Sequence, residues 1–127
     1  MKHWNNIYYK NKHLSQWPWT EVISLCNRYC KKQIYNKTNK ILELGFGAGA
    51  NIPFFLKKPI KYYGVEGSKV IFLKIKKKYK KIKKNILNKN FNEEIFPNLK
   101  FDLILDRASV THNDKKNIKK IIDNSKK

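Results

Sequence analysis

Acidic residues are scarce in this sequence: nine, against 29 lysines and arginines, give a formal charge of +20 over 127 residues. Such an imbalance excludes a self-neutralising surface and predicts a weak, salt-sensitive attraction to polyanions. Arginine is scarcer still, with Arg28 and Arg107 standing beside 27 lysines. Arginine is the side chain suited to bidentate recognition of phosphates and bases, so its near absence argues against a dedicated, sequence-specific nucleic-acid reader. Lysine, asparagine and isoleucine, all abundant here, share A/T-rich codons, and a biased genome accounts for the composition. The polyanion binding expected is therefore unspecific. Cys26 and Cys30 are the two cysteines, four positions apart in a helix-compatible segment. They are too few for a disulfide framework, and no third or fourth ligand lies nearby for a metal, so they read as buried thiols in a reducing compartment. Long apolar runs are missing as well. No stretch is long enough to span a bilayer, and the first residues lack the apolar core of a signal peptide, which makes a cytoplasmic location without a membrane partner the expectation. Glycine is also rare, at five residues, yet three of the five fall within five positions. The rest of the chain is organised around them.

That stretch is residues 40–54, K-I-L-E-L-G-F-G-A-G-A-N-I-P-F. The run from Ile41 to Leu44 suits a short buried strand. Gly45, Gly47 and Gly49 then predict a sharp turn, and a helix follows with Pro53 in its first turn, where a missing N–H costs nothing. Strand, glycine turn and helix open a nucleotide-binding α/β unit, because the chain must reverse and bring bare backbone against a ligand. The dinucleotide fingerprint places its third glycine five residues after the first. Here that position is Ala50, which could stand in for glycine, so spacing alone leaves a dinucleotide open. Glu43, an acid two residues before the first glycine, tips the balance.

Before this unit, residues 1–35 form an aromatic segment and a helix. Trp4, Tyr8, Tyr9, Trp17 and Trp19 lead to Thr20, a predicted N-cap. The apolar set Val22, Ile23, Leu25, Cys26, Tyr29 and Cys30 then recurs at three- and four-residue steps. Trp17 and Trp19 are candidates to roof a pocket or to pack the helix on the sheet. After the turn, a short helix is predicted over residues 52–57, closed by Pro59. A second strand over residues 61–67 carries Glu66 at its end, 21 residues after Gly45. An acid at that place meets ribose hydroxyls in nucleotide-binding folds. A helix over residues 68–84 has Ile71, Phe72, Ile75, Tyr79 and Ile82 on one stripe. Eight lysines between Lys74 and Lys84 surround it as a solvated face. Ile86 and Leu87 begin a weak third strand, and residues 92–98 read as a loop broken by Pro97. Residues 101–112, F-D-L-I-L-D-R-A-S-V-T-H, predict a fourth strand, apolar enough to be buried on both faces, with Asp106 at its carboxyl end. Asn113 or Asp114 caps a last helix that turns Ile118, Ile121 and Ile122 inward.

The pattern E-x-G-x-G-x-G at Glu43, Gly45, Gly47 and Gly49 resembles the first motif of class I S-adenosylmethionine-dependent methyltransferases. F-D-L-I-L-D-R resembles the fourth motif of the small bacterial members. The resemblance covers the chain from about Trp17 onward. It implies an α/β, Rossmann-like parallel sheet of four strands in the order 3-2-1-4, with residues 36–127 as the cofactor-binding half. The implied cofactor is S-adenosyl-L-methionine, whose cationic ammonium and sulfonium would welcome an acid where a pyrophosphate would not. Its implied contacts are Glu43, Gly45, Gly47, Gly49, Glu66 for the ribose, Asn90 and Phe91 for the adenine, and Asp106. Asn90 departs from the acid usual there, keeping a carbonyl acceptor without the charge. Asp106 orienting an acceptor and His112 as a base are the implied catalytic candidates. Asp106 reads equally as a local ion pair with Arg107, and His112 as the polar entry to the next helix. The acceptor is unidentified, with a small molecule favoured.

The family's fifth strand and terminal hairpin have no counterpart here, so the expectation is a chain truncated after the fourth strand. Its open strand edge would invite oligomerisation. The alternative to a methyltransferase is a non-catalytic remnant, a cofactor- or polyanion-binding module.

Overall fold

The structure, a computed structural model, describes residues 18–90, 93 and 95–106. Among these, α1 (Thr20–Tyr29) and a single turn α2 (Lys31–Ile34) precede β1 (Lys40–Leu44). The chain continues through α3 (Ile52–Leu56), β2 (Lys61–Val65), α4 (Lys69–Lys78), a 3-10 turn (Lys80–Ile82), β3 (Ile86–Leu87) and β4 (Leu103–Asp106). The strands form one parallel sheet in the order β3-β2-β1-β4. This is a Rossmann-like α/β arrangement with the strand order that the resemblance implies. No helix among the described residues is long and apolar enough to cross a membrane.

Alternation along the strands divides the core in two. Ile41 and Tyr62 face the helices, where they pack with Val22, Cys26, Ile34, Phe55, Ile71 and Ile75. Leu42, Leu44 and Val65 face the other side and meet Ile95, Phe96 and Phe101. On that side Tyr63, Phe96 and Phe101 stand edge to face, with ring centroids 5.3 to 5.8 Å apart. Phe96 reaches this position from the left-handed backbone region, at φ 42°, just before Pro97. A backbone bond from the Asp102 N–H to the Lys40 carbonyl and one from the Lys40 N–H to the Asp102 carboxylate tie the start of β4 to that of β1.

Several local expectations change. Trp19, rather than Thr20, occupies the N-cap of α1, without a side-chain cap bond. Leu25 and Tyr29, placed on the inner stripe by periodicity, are 55% and 70% exposed. The buried line of α1 is only Val22 and Cys26, one narrow edge of the helix, with Cys30 packed beside it. Both thiols are free, with Cys26 buried and Cys30 half-buried. Burial, and then the neighbouring Cys30, push the Cys26 thiol up to about 11, which keeps it unreactive. The helix predicted over residues 68–84 is α4 followed by the 3-10 turn, broken at Tyr79. Its N-cap is Ser68, whose hydroxyl accepts from the Ile71 N–H. Strand β4 is not buried on both faces. Leu103 and Leu105 are half-buried, while Ile104 is 40% exposed, because its face of the sheet is only partly covered among the described residues. The predicted last helix, with Asn113, Asp114, Ile118, Ile121 and Ile122, lies outside the described residues.

Candidate functional site

β1 ends at Leu44, and the chain turns through Gly45, Gly47 and Gly49 at φ 69°, 54° and 80°. These angles lie in the left-handed region that glycine enters without steric penalty, which accounts for glycine at alternate positions. The turn is held by the Gly45 N–H on the Val65 carbonyl and the Gly49 N–H on the Phe46 carbonyl. Gly49 has a second constraint, since a Cβ there would stand 2.8 Å from Ile75 Cδ1 and 3.1 Å from Ile52 Cδ1. Gly49 thus admits α4 against the turn. Gly45 and Gly47 are the more accessible members.

Two buried carboxylates lie beneath and beside this turn. Glu43 falls by alternation on the helix side of β1. One carboxylate oxygen accepts from the Tyr62 hydroxyl at 2.6 Å and the other from Asn51 Nδ2 at 3.0 Å. Asn51 Oδ1 in turn accepts the Trp19 backbone N–H at 3.0 Å. Glu43 therefore fastens the turn, β2 and the start of α1 to one another. Burial pushes its carboxyl up to about 7. The bonds from Tyr62 and Asn51 oppose that rise, and the nearby charge of Glu66 adds to it. The Tyr62 phenol is held well above its usual range by burial and by Glu43.

Glu66 directly follows β2. Its carboxylate accepts the Gly47 N–H at 2.9 Å through one oxygen and the Ser68 N–H at 3.0 Å through the other. Burial raises the Glu66 carboxyl, against the pull of the backbone donors Ser68, Gly47 and Gly67. Asn88 closes the far side, its Nδ2 donating to the carbonyls of Glu66 and Gly67. Among the described residues, no buried side-chain nitrogen or oxygen lacks a partner.

Of the residues the sequence singled out, Glu43, Gly45, Gly47, Gly49 and Glu66 come together at the carboxyl ends of β1 and β2. Asn90 is exposed beyond β3, its N–H donating to the Glu93 carboxylate. Asp106 ends β4 opposite Leu44, on the other side of β1 from Glu66, and is exposed. Phe91, His112, Arg107 and Trp17 lie outside the described residues. Trp19 is half-buried and packs against the helix-side core. Sequence reasoning missed Asn51, Tyr62 and Asn88. Asn51 carried a signal, as a polar residue between the glycine turn and the apolar start of α3. Tyr62 and Asn88 carried none. Compared with known proteins, the chain matches no family and no curated sequence.

Proposed function

We propose that this chain binds S-adenosyl-L-methionine at the carboxyl ends of β1 and β2, as the cofactor-binding part of a class I methyltransferase acting on a small-molecule acceptor. The topology supports a ligand here. β2 and β3 extend the sheet to one side of β1 and β4 to the other, and the crevice where strand order reverses is where open α/β sheets bind ligands.

The observation that carries the choice of ligand is the Glu66 carboxylate on the Gly47 N–H. In a dinucleotide site the N–H groups of such a turn face a pyrophosphate. In this chain an acid already holds that donor, and a second acid, Glu43, is buried behind the turn. An acid at the end of β2 suits the ribose of either ligand, whereas the engaged Gly47 N–H and Glu43 behind the turn disfavour a pyrophosphate and suit a ligand with cationic groups. Glu66 uses one acceptor position on each oxygen for backbone. With the Gly67 N–H as a third backbone donor, one of the roughly four acceptor positions of a carboxylate remains for a ribose hydroxyl without loss of the existing bonds. Gly45 and Gly47 leave the backbone bare for the methionine portion, and the Asn90 carboxamide offers an acceptor to the adenine amino group. When bound, the cofactor supplies a methyl group already activated by its sulfonium. The task of the protein is then to position an acceptor in line, with Asp106 across the switch point as the orienting candidate.

Isothermal titration of the chain with S-adenosylmethionine, its demethylated product and NAD tests the proposal. The first two are expected to bind more tightly than NAD. Tighter binding of NAD would overturn the assignment.

A further inference from the structure

The ends of α1 and α2 border an open groove of about 570 Å³ lined by Arg28, Tyr29, Lys31, Lys32, Gln33 and Tyr35. Its last lining residue, Tyr35, precedes Gly45 by ten positions, and it shares no residue with the proposed cofactor site. Three of its six lining residues are cations and none is an acid. Its two rings face solvent, Tyr29 at 70% and Tyr35 at 51% exposure. Lys58 braces the second ring, its Nζ donating to the Tyr35 hydroxyl at 3.0 Å and lying 4.9 Å from the ring centroid.

A helix C-terminus attracts cations through its dipole, which accounts for Arg28 in the last turn of α1. It does not account for two exposed tyrosines beside those cations, one of them with Lys58 over its ring. The contrast with α4 is instructive. Lys69, Lys74, Lys76, Lys77 and Lys78 make that helix more basic still, but Phe72 and Tyr79 are half-buried and pack against the core. Charge without open rings attracts any polyanion. Charge interleaved with exposed rings matches a chain of phosphates whose bases are free to stack.

We propose that this groove binds single-stranded nucleic acid without sequence preference, with bases on Tyr29 and Tyr35 and phosphates on Arg28, Lys31 and Lys32. A duplex would not satisfy the rings, because its bases are already stacked. Two arginines in the whole chain are too few for base-edge readout, so the binding rests on stacking and counterion release.

The test is fluorescence anisotropy of a labelled oligouridylate against the full chain, with a duplex and a heparin fragment as competitors. Replacing Tyr29 and Tyr35 by alanine is expected to weaken oligouridylate binding about fivefold or more for each ring. The same change should leave heparin affinity as it was. Removing Arg28, Lys31 and Lys32 together should lower the slope of log affinity against log salt by about 2. Removing Lys74, Lys76 and Lys77, an equal loss of charge, should lower it less. Urea unfolding midpoints check that each variant is folded, and the exposure of both rings makes them tolerant sites. The proposal is overturned if folded tyrosine variants bind oligouridylate as the parent does, if heparin affinity falls in parallel, or if the two charge-removal variants behave alike.

Discussion

Glu43→Gln removes a buried charge while keeping its shape, and the hydrogen-bond geometry fixes how the new side chain sits. Asn51 cannot reverse its amide, because Oδ1 is held by the Trp19 N–H, so Nδ2 must face residue 43. Glutamine then turns its oxygen to Asn51 and its amino group to the Tyr62 hydroxyl, which can accept. The hydroxyl proton of Tyr62 loses its acceptor, at a cost of about 1 kcal/mol. Against this stands the titration of the parent. The Glu43 carboxyl moves from an ordinary value of 4.5 to about 7 on folding, chiefly through burial. Between those limits the folded chain keeps a proton that the unfolded chain has released, so stability falls as pH rises. At about 1.4 kcal/mol per pH unit the total loss is about 3 kcal/mol, complete above pH 7. The glutamine variant lacks this slope. It should be less stable than the parent by about 1 kcal/mol near the acid limit and more stable by about 2 kcal/mol near pH 8. Acids remote from Glu43 titrate in both proteins and cancel in the difference, whereas Glu66, whose charge adds to the rise of the Glu43 carboxyl, is part of the measured difference. Urea unfolding from about pH 4.5 to 8 measures the two curves. Parallel curves, or a variant whose advantage grows toward acid, would refute the assignment of a buried, proton-binding Glu43.

Glu66→Ala strips the acceptor from the Gly47 and Ser68 N–H groups and from any ribose, so losses of about 1.5–3 kcal/mol are expected in cofactor affinity. A ligand without both ribose hydroxyls should lose much less in the same titration, and equal losses would assign Glu66 to the fold alone. Gly49→Ala meets both a left-handed φ of 80° and a contact of 2.8 Å to Ile75 Cδ1. Strain of about 1–3 kcal/mol is expected as a loss of unfolding free energy, read as a lower urea midpoint, and an unchanged midpoint would mean that α4 shifts freely away from the turn.

Local chemistry was legible in the sequence wherever a few neighbouring residues decide the outcome. The apolar run 41–44 made β1, and the alternate glycines made the sharp turn after it. Each depends on backbone angles or donors within one turn of chain. Resemblance supplied the strand order, and the sheet has that order. What the sequence could not supply was the partner of each buried acid. Glu43 is answered by Asn51 and Tyr62, eight and 19 positions away, and Glu66 by Gly47, 19 positions back. These contacts exist only after β2 has paired with β1 and brought its end beside the turn. The same holds for exposure. Periodicity placed Leu25 and Tyr29 on the stripe with Val22 and Cys26, but a stripe is buried only as far as something lies against it. An apolar pattern is a property of one helix or strand, whereas burial and hydrogen-bond partners belong to pairs of elements. For that reason the tertiary structure alone made Glu43 a fastening, Glu66 a clamp on the glycine turn, and Tyr29 a surface ring.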